Sequence, residues 1–501
     1  MKRMRTVAVV TTLVLPFTLA LAPHPASAGK PPAYDEPYRG QHHFSPAENW
    51  MNDPNGLVFY EGEWHLFYQY YPDGDVWGPM HWAHAVSKDL VHWETLPIAL
   101  FPDEKGYIFS GSAVVDAENT SGFFPAGKGG LVAAFTYHDN GVQSQAIAYS
   151  SDRGRTWTKY EGNPVIPNTG AKDFRDPKVF WYEPEQKWVM IVAGGEVNLY
   201  SSKNLREWTH ESTLDGVFTE CPDLFPIPVT GQNGVTRWVL SLGGTDYLVG
   251  DFDGHRFIPA QQSRRADFGR DFYAAQAWNN APDGKQYWLG WMNNWAYAEK
   301  IPTGPPWRGQ LTEARTLGLV PDPQRPGEFS LTQQPVPQLT EALGGKPFTI
   351  TDKPVAGERN PLAGQRGTSY EIKASVDLGT AQQVGFTVRA GAGEQTTLTY
   401  DVPQQSLVLD RRQSGDVSFS TEFPAATSAP LRLHDGRLDL RILVDRSSVE
   451  VFAEDGTVVF TDQIFPKLES DAMGVFALQG EARIDSLSVT PLKSAWQGGA
   501  R

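Results

Sequence analysis

The sequence predicts an all-β protein, a five-bladed β-propeller followed by a C-terminal β-sandwich. Aromatic residues make up 12% of the 501 residues and are accompanied by 48 glycines and 38 prolines, a composition typical of short strands joined by tight turns. Helical periodicity is scarce. A weak internal repeat in the first part of the chain predicts the blades, and a change of composition after residue 339 predicts the second domain.

The chain begins with a predicted bacterial-type signal peptide, residues 1–28. MKRMR is followed by an apolar stretch and by ASA at 26–28, so cleavage is expected after Ala28. No later segment has the roughly 20 consecutive apolar residues of a membrane helix. We therefore expect a secreted, extracellular protein that does not associate with a membrane.

Residues 35–328 are predicted to form the propeller. Each of four short segments has a polar turn residue six positions before an aromatic residue: SKDLVHW (87–93), SDRGRTW (151–157), SKNLREW (202–208) and DFDGHRF (251–257). They start 64, 51 and 49 residues apart, close to the period of propeller blades. Five strand candidates predict five blades: GEWHLFYQY, GLVAAFTYHD, QKWVMIVAGG, TRWVLSLGG and KQYWLGWMNN. A β-sandwich with long loops is the alternative.

The remaining chain is predicted to hold a second domain. Residues 329–345 include QQPVPQ and are expected to be a semi-rigid linker. Residues 346–493 contain strand candidates such as YEIKASVDL and LDLRILVD at the spacing of a β-sandwich. Residues 494–501 are expected to be a flexible tail.

Charge and cysteine content exclude some classes of protein. Cleavage of the signal peptide removes Lys2, Arg3 and Arg5 and changes the formal net charge from -15 to -18. This negative charge argues against binding to nucleic acid. The single cysteine, Cys221, excludes an internal disulfide and is expected to be a buried packing residue. Stability must therefore come from a buried core.

Acidic residues recur beside proline ahead of three of the predicted hairpins. They lie in Asn-Asp-Pro at 52–54, Arg-Asp-Pro at 175–177 and Glu-Cys-Pro-Asp at 220–223. A residue before proline favours extended geometry, so Asp53 and Asp176 are expected at strand entries. If these hairpins are the inner halves of three blades, Asp53, Asp176 and Glu220 meet at one end of the channel. A simple turn-forming role is the alternative for Asp53.

Such a cluster suits glycoside hydrolysis. Like charges that meet in a depression repel one another and raise the pKa of at least one of the carboxyl groups. A raised pKa is what a general acid requires. A retaining mechanism uses two carboxylates ~5 to 5.5 Å apart, and a third can stabilise the transition state. Trp50, Trp77 and Trp82 offer flat apolar surfaces for a sugar ring.

Other polar residues are expected to have structural roles. Asp271 occupies the corresponding point of the fifth blade but lacks a following proline, so we expect a structural carboxylate there. Histidines 42, 43, 81 and 84 lack the spacing of a metal site, so no metal is expected.

Seven motifs together resemble the β-fructosidases of glycoside hydrolase family 32. They are WMNDPNG, FSGSAV, FRDPKVFW, ECPDLF and WMNNW, followed by RSSVEVFAEDG and TDQIFP in the second domain. The resemblance extends over roughly residues 38 to 493. It implies a five-bladed propeller followed by a β-sandwich, and retaining hydrolysis of fructosyl bonds without a cofactor.

The resemblance also implies roles for individual residues. Asp53 would be the nucleophile, Glu220 the acid/base catalyst and Asp176 the transition-state stabiliser. The residues that match the family's fructose-binding positions are Trp50, Asn52, Gln69, Trp77, Phe109, Ser110, Arg175 and Trp295.

The implied function is release of fructose from the ends of β-fructans through a fructosyl-enzyme. We expect levan β-2,6 bonds to be preferred, with inulin and sucrose also cleaved. The alternatives are a levan biohydrolase that releases difructose, an endo-levanase, an invertase, or a fructan-binding protein without activity. The expected partner is a fructan or fructo-oligosaccharide, and the protein is expected to be a monomer.

Overall fold

The computed structural model describes residues 34–168, 170–357, 359–433 and 435–497. Strands dominate these residues, which confirms the all-β class. The signal peptide predicted at 1–28 lies outside them, as do residues 498–501 of the predicted tail. No helix in the described part of the chain is long and apolar enough to cross a bilayer.

The first part of the described chain is built from short strands, which pair antiparallel except for β20, which pairs with β1 in parallel. In chain order they are β1 (Asn49–Tyr60), β2 (Glu63–Tyr71), β3 (His81–Ser87), β4 (Trp93–Leu100), β5 (Tyr107–Asp116), β6 (Gly130–Asp139), β7 (Val142–Ser150), β8 (Thr158–Lys159), β9 (Lys178–Tyr182), β10 (Lys187–Gly194), β11 (Glu196–Ser202), β12 (Thr209–Leu214), β13 (Asp223–Pro228), β14 (Thr236–Leu242), β15 (Asp246–Phe252), β16 (Phe257–Pro259), β17 (Arg264–Arg265), β18 (Tyr273–Ala277), β19 (Gln286–Trp291), β20 (Trp307–Arg308), β21 (Arg315–Pro321) and β22 (Phe329–Pro335).

These strands form five sheets within the described residues. The sheets are β1 to β4 with β20 beside β1, then β5 to β8, β9 to β12, β13 to β17, and finally β18, β19, β21 and β22. The five strand candidates of the sequence are all strands, and each is the second strand of its sheet: β2, β6, β10, β14 and β19.

The first strands of these sheets lie beside one another. Strand β1 contacts both β5 and β18, and β5 also contacts β9. The side chain of Asn279, just after β18, donates to the carbonyl oxygens of Ala113 (2.8 Å) and Val179 (2.9 Å) on two other first strands. The side chain of Asn55 accepts the amide of Gly111 (2.9 Å). Polar side chains therefore join first strands of different sheets around a common axis.

The second part of the chain contains two further sheets. Its strands are β23 (Phe348–Val355), β24 (Tyr370–Asp377), β25 (Gln383–Gly391), β26 (Glu394–Asp401), β27 (Ser406–Gln413), β28 (Ala426–Pro430), β29 (Arg437–Asp445), β30 (Ser448–Ala453), β31 (Val458–Gln463), β32 (Ala472–Leu478) and β33 (Ala482–Pro491). One sheet has the order β23-β33-β24-β29-β30-β31 and the other β28-β27-β26-β25-β32. Apolar side chains from both sheets share one buried core, as expected for a β-sandwich.

Helical structure is confined to short pieces. The α-helix α1 (Pro337–Leu343) follows β22 directly. Four 3-10 turns are described, at Glu183–Glu185, Ala298–Lys300, Glu454–Gly456 and Ala495–Gln497. Residues 329–345, predicted to be a linker, therefore contain a strand of the last sheet of the first part and a helix.

The predicted tail begins as packed structure. The indole of Trp496 donates to the carbonyl oxygen of Gly40 (2.7 Å), and its ring stacks on Tyr34 with the centroids 4.1 Å apart. Trp496 therefore packs on the N-terminal segment, through a hydrogen bond and a ring contact that the local sequence does not reveal.

Buried ion pairs join the first part of the chain, which contains β1 to β22 and is called the propeller part below, to the sandwich. Arg315 in β21 is fully buried and donates to Asp267 (3.1 Å), to Glu450 in β30 and to Thr461 in β31 (2.6 Å). His43 contacts the other oxygen of Glu450 (2.8 Å). Burial alone would raise the pKa of Glu450, but Arg315 and His43 overcome it and lower that pKa to about 2. Glu450 is therefore ionised and fully partnered.

We predict that Glu450→Gln destabilises the protein by about 3 kcal/mol at neutral pH, because it removes the negative charge of one of the two buried carboxylates that pair with Arg315. Because folding lowers the pKa of Glu450, its contribution is complete above the unfolded value of about 4.3 and is lost as the pH falls towards 2. Urea unfolding at several pH values measures the effect.

Asp485→Asn serves as the control, because its ion pair with Arg437 lies on the surface. It should leave the urea midpoint nearly unchanged. Equal midpoints for the two variants at neutral pH would contradict the role given to the buried network.

Candidate active site

The first strands of the five sheets present polar side chains at one shared end. The residues concerned lie within, at the start of, or just before these strands: Asp53, Ser110, Asp176, Glu220, Cys221 and Tyr273. They surround a cavity of about 280 Å³. The acids predicted from three separate motifs therefore meet in one pocket.

Ten of the eleven predicted site residues line this pocket. Its complete lining is Asn52, Asp53, Gln69, Trp77, Phe109, Ser110, Gln143, Arg175, Asp176, Glu220, Cys221, Tyr273 and Trp295. The exception is Trp50.

Trp50 lies behind the pocket wall. It is fully buried, its indole donates to the side-chain oxygen of Asn52 (2.8 Å), and its ring stacks on that of Trp295 with the centroids 6.0 Å apart. Trp82 is also fully buried and donates to the carbonyl oxygen of Phe109 (3.0 Å). The prediction of Trp50 as a substrate contact is therefore corrected: it orients two residues that do line the pocket.

Asp53 lies within β1, where the pairing with β2 shifts register between Met51 and Pro54. Its carboxylate is 9% exposed and accepts hydrogen bonds from Ser110 Oγ (2.6 Å) and Asn52 Nδ2 (3.0 Å). Burial raises the pKa of Asp53, and Glu220 adds to that rise, whereas the two donors oppose it. The donors therefore favour the ionised form of the carboxylate.

Asp176 sits in an unusual backbone geometry. Its φ is +66°, in the left-handed region, although it precedes a proline and was expected to be extended. Cys221 also precedes a proline and has φ +45°. The amide of Cys221 donates to the carboxylate of Asp176 (3.0 Å), and the amide of Asp176 donates to Thr136 Oγ1 (3.1 Å). Tertiary hydrogen bonds thus hold a geometry that costs roughly 1 to 3 kcal/mol per residue.

Burial raises the pKa of Asp176 to about 7. The guanidinium of Arg175 opposes this rise, and the nearby carboxylates of Asp53 and Glu220 increase it. In the free pocket Asp176 therefore keeps a proton at mildly acidic pH, which limits the repulsion between the acids.

Glu220 is the most exposed of the three acids, with 38% of its side chain accessible to solvent. Arg175 donates to one of its carboxylate oxygens and the hydroxyl of Tyr273 donates to the other. Arg175 is itself held by Asp173 (2.7 Å) and Gln143 (3.3 Å). The carboxyl group is therefore fixed in direction while still reaching the open part of the pocket.

Cys221 lies between two of the acids. Its sulfur is 3.5 Å from a carboxylate oxygen of Asp53 and 3.5 Å from one of Asp176. Burial and the negative charges of its neighbours raise the pKa of this thiol well above its usual range. It therefore stays protonated and acts as a weak donor rather than as a nucleophile.

Aromatic side chains form the rim. Trp77 is 38% exposed and meets Phe109 edge to face at 6.1 Å, and Phe109 stacks on His138 at 4.3 Å. Trp295, 46% exposed, lies on the same cavity. The side-chain amide of Gln69 donates to the carbonyl oxygen of Ile108 (3.0 Å). The pocket thus combines polar groups at its base with apolar rings at its mouth, the usual arrangement for binding a sugar.

Sequence reasoning missed Gln143 and Tyr273. Tyr273 follows Asp271 by two residues and begins the first strand of the last sheet, so the position that predicted the three acids also pointed to it. Gln143 is the second residue of β7, and no local feature indicated that the β6–β7 hairpin reaches the pocket. Asp271 is fully buried outside the pocket and bonded to Arg411.

Among the described residues, one group of side chains has the proximity of metal ligands: His42, His43 and Glu313. His42 contacts Glu313 (2.7 Å), and His43 contacts Asp445 (2.9 Å) and Glu450 (2.8 Å). Both rings are already engaged with carboxylates away from the pocket. This agrees with the structural role expected for these histidines.

Two family descriptions match the chain. The N-terminal domain of glycosyl hydrolases family 32 matches residues 43–335, and the C-terminal domain of the same family matches residues 340–491. The first match ends with β22 and the second begins within α1, where the propeller part gives way to the sandwich.

Individual relatives agree with these matches. A levanase of Bacillus subtilis is 48% identical over 99% of this chain and 76% of its own length. A fructan beta-fructosidase of Streptococcus mutans is 41% identical over 92% of this chain but only 34% of its own length. The crystal structure of an exo-inulinase from Aspergillus awamori has a TM-score of 0.84 and 36% identity over 92% of this chain and 100% of that chain. The chain belongs to glycoside hydrolase family 32.

Proposed function

We propose that this protein is a retaining glycoside hydrolase that releases fructose from the ends of β-fructans. The observation that carries the proposal is the convergence of Asp53, Asp176 and Glu220 in one small pocket with an aromatic rim. Asp53 is the nucleophile, Glu220 the acid/base catalyst and Asp176 the residue that stabilises the transition state. The remaining lining residues bind the terminal fructosyl unit.

In the first step an oxygen of Asp53 bonds to C2 of the fructosyl unit. The bond from C2 to the rest of the fructan breaks, and Glu220 transfers its proton to the departing oxygen. The hydrogen bonds from Ser110 and Asn52 support this step because they favour an ionised Asp53 before the attack.

In the second step Glu220 removes a proton from water while the water oxygen bonds to C2. The ester bond to Asp53 breaks, so Asp53 returns as a carboxylate, Glu220 regains its proton and the configuration at C2 is retained. Arg175 and Tyr273 support both steps because they hold Glu220 in one orientation.

The third acid binds the sugar as the bond breaks. Asp176 lies beside Asp53, bridged by the thiol of Cys221, and interacts with fructose hydroxyls whose hydrogen bonds strengthen as positive charge develops at C2. Arg175 stands beside Asp176, with Nε 3.8 Å from its carboxylate, and limits the charge in the free pocket.

Levan is the proposed preferred substrate, and inulin and sucrose are further substrates. The similarity to a levanase, a fructan beta-fructosidase and exo-inulinases supports this choice. The small pocket favours removal of single terminal units over internal cleavage. Release of difructose, endo-cleavage and invertase activity are the alternatives that product analysis separates.

The proposed architecture is a five-bladed propeller followed by a sandwich. The five sheets up to Pro335 and the contacts of β1 with both β5 and β18 support a closed ring of five blades. We also propose that the protein is a secreted monomer. The apolar segment before Ala28 and the extracellular relatives support secretion.

We predict that levan yields fructose as the sole early product and that inulin and sucrose are also cleaved. Chromatography of short incubations measures this directly. Difructose would indicate a biohydrolase and a ladder of oligomers an endo-enzyme.

Asp53→Asn and Glu220→Gln should each lower kcat roughly a thousandfold or more, because each removes a group that makes or breaks a bond at C2.

The matched control is Asp223→Asn. Asp223 is buried on a first strand, bonded to Lys178 (3.0 Å) and outside the pocket lining. It should lower stability but leave kcat of the folded enzyme near normal. Near-normal turnover in folded Glu220→Gln would overturn the proposal.

We predict that Ser110→Ala moves the acidic limb of kcat/KM to higher pH by about one unit. Ser110 stabilises the ionised form of Asp53, so its removal raises the pKa of Asp53 further, and a higher pH is needed to ionise the nucleophile. A pH profile on sucrose or levan measures the shift.

Ser150→Ala is the control for this shift, because Ser150 makes a similar bond to Asp152 (2.8 Å) outside the pocket. Its acidic limb should match the parent enzyme. A limb that stays in place in Ser110→Ala, or moves to lower pH, would contradict the role of Asp53.

A further inference from the structure

A loop of the propeller part reaches two aromatic rings at the mouth of the pocket. This loop, residues 293–301, carries Trp295, whose ring contacts Trp291 with the centroids 4.8 Å apart. The carboxylate of Glu299 in the loop accepts the backbone amide of Trp77 (3.3 Å). The position of the 293–301 loop therefore influences both Trp295 and Trp77.

The hydrogen bonds within the loop are all short-range. The amide of Lys300 donates to the carbonyl oxygen of Tyr297 (2.8 Å), and the amides of Asn294 (2.9 Å) and Ala296 (3.0 Å) donate to the side-chain oxygens of Asn293 and Asn294. The carbonyl oxygen of Asn294 accepts the amides of Tyr297 (3.0 Å) and Ala298 (2.8 Å), and the only regular element is the short 3-10 turn Ala298–Lys300. Because these bonds join only near neighbours in the sequence, the position of the loop on the protein depends on its tertiary contacts.

The main polar anchor of the loop is Tyr297, whose side chain is buried. Its hydroxyl donates to Asp271 and accepts from Arg411 (2.7 Å). Asp271 belongs to the propeller part, whereas Arg411 lies in β27 of the sandwich. The tip of this tyrosine therefore joins the loop to both parts of the protein.

Arg411 is itself rigidly held. It is fully buried, donates to the carbonyl oxygens of Phe423 (3.0 Å) and Gln463 (3.1 Å), and forms an ion pair with Asp271. Its guanidinium lies 4.0 Å from the centre of the Phe423 ring. A planar guanidinium that satisfies several fixed acceptors has one orientation, so it gives Tyr297 a fixed partner.

Apolar contacts reinforce the anchor. Tyr297 and Ile301 of the loop form a buried cluster with Phe423 and Phe465 of the sandwich. The Tyr297 and Phe423 rings meet edge to face at 5.3 Å. The sandwich thus forms the floor on which the 293–301 loop rests.

We propose that Arg411 is a positioning residue of the sandwich, which acts through Tyr297 to hold Trp295 at the mouth of the pocket and so sets the affinity for fructan. The inference rests on the proposed function. Arg411 and Tyr297 are absent from the pocket lining, so their effect is on substrate binding and not on bond cleavage.

The test compares kcat and KM for levan in Tyr297→Phe and Arg411→Lys. Tyr297→Phe keeps the ring in its apolar cluster and removes only the hydroxyl. We expect KM to rise roughly threefold to tenfold while kcat stays within about twofold, because the loop loses its fixed position but the acids keep theirs.

Arg389→Lys is the matched control. Arg389 is a second fully buried arginine of the sandwich, and its hydrogen bonds go to backbone carbonyl oxygens of the sandwich, such as those of Ser470 (2.8 Å) and Lys467 (2.8 Å). It should lower the unfolding temperature without changing KM. A rise in KM in this control equal to that in Arg411→Lys would overturn the proposal.

A double-mutant cycle with Trp295→Ala identifies the route of the effect. If Tyr297 acts through Trp295, Tyr297→Phe should change KM little once the indole is absent. An unchanged KM in Tyr297→Phe, or effects that multiply in the double variant, would contradict the inference. Absence of fructan hydrolysis by the parent enzyme would instead contradict the proposed function.

Discussion

The structure depends on burying several carboxylates close together at one end of a channel. A carboxylate taken out of water is stable only if donors replace its hydration, and neighbouring carboxylates raise this requirement further. The donors to the pocket acids come from segments far apart in the sequence: Asn52, Ser110, Arg175, the amide of Cys221, and Tyr273. Because each donor belongs to a different stretch of chain, the site exists only when the sheets stand around a common axis. Folding therefore also assembles the acids of the pocket and their hydrogen-bond donors.

The contact between the propeller part and the sandwich obeys the same rule. Asp271 and Glu450 are buried acids, and each is matched by a buried arginine from the other part of the chain, Arg411 and Arg315 respectively. From Tyr34 onwards the chain forms one compact unit. One of these pairs, Arg315 with Glu450, stabilises the contact and does not line the pocket. The other lies beneath the 293–301 loop, so the contact also reaches the mouth of the pocket. The sandwich is in this view part of the substrate-binding apparatus and not only a support.

The sequence predicted the elements well and their long-range partners poorly. Strand candidates were found because aromatic and β-branched runs between turns are local signals, and the acids were found because each lies close to a proline near the beginning of a first strand. The left-handed geometry of Asp176 overrode the local preference of a residue before proline because tertiary hydrogen bonds hold it. The burial of Trp50, the reach of Gln143 into the pocket and the packing of Trp496 depend on segments distant in the sequence. Tyr273 could have been found by extending the strand-entry argument from acids to any polar residue.

We propose that Asp53, whose ionised form is favoured by its hydrogen-bond donors, forms a bond to the sugar. The most direct test uses Glu220→Gln with β-fructofuranosyl fluoride, whose leaving group departs without protonation. The first step then proceeds, whereas the second lacks its base, so the intermediate accumulates. Proteolysis and mass spectrometry should locate a fructosyl group on the peptide that contains Asp53. A fructosyl group on Asp176, or turnover with inverted configuration and no adduct, would contradict the account.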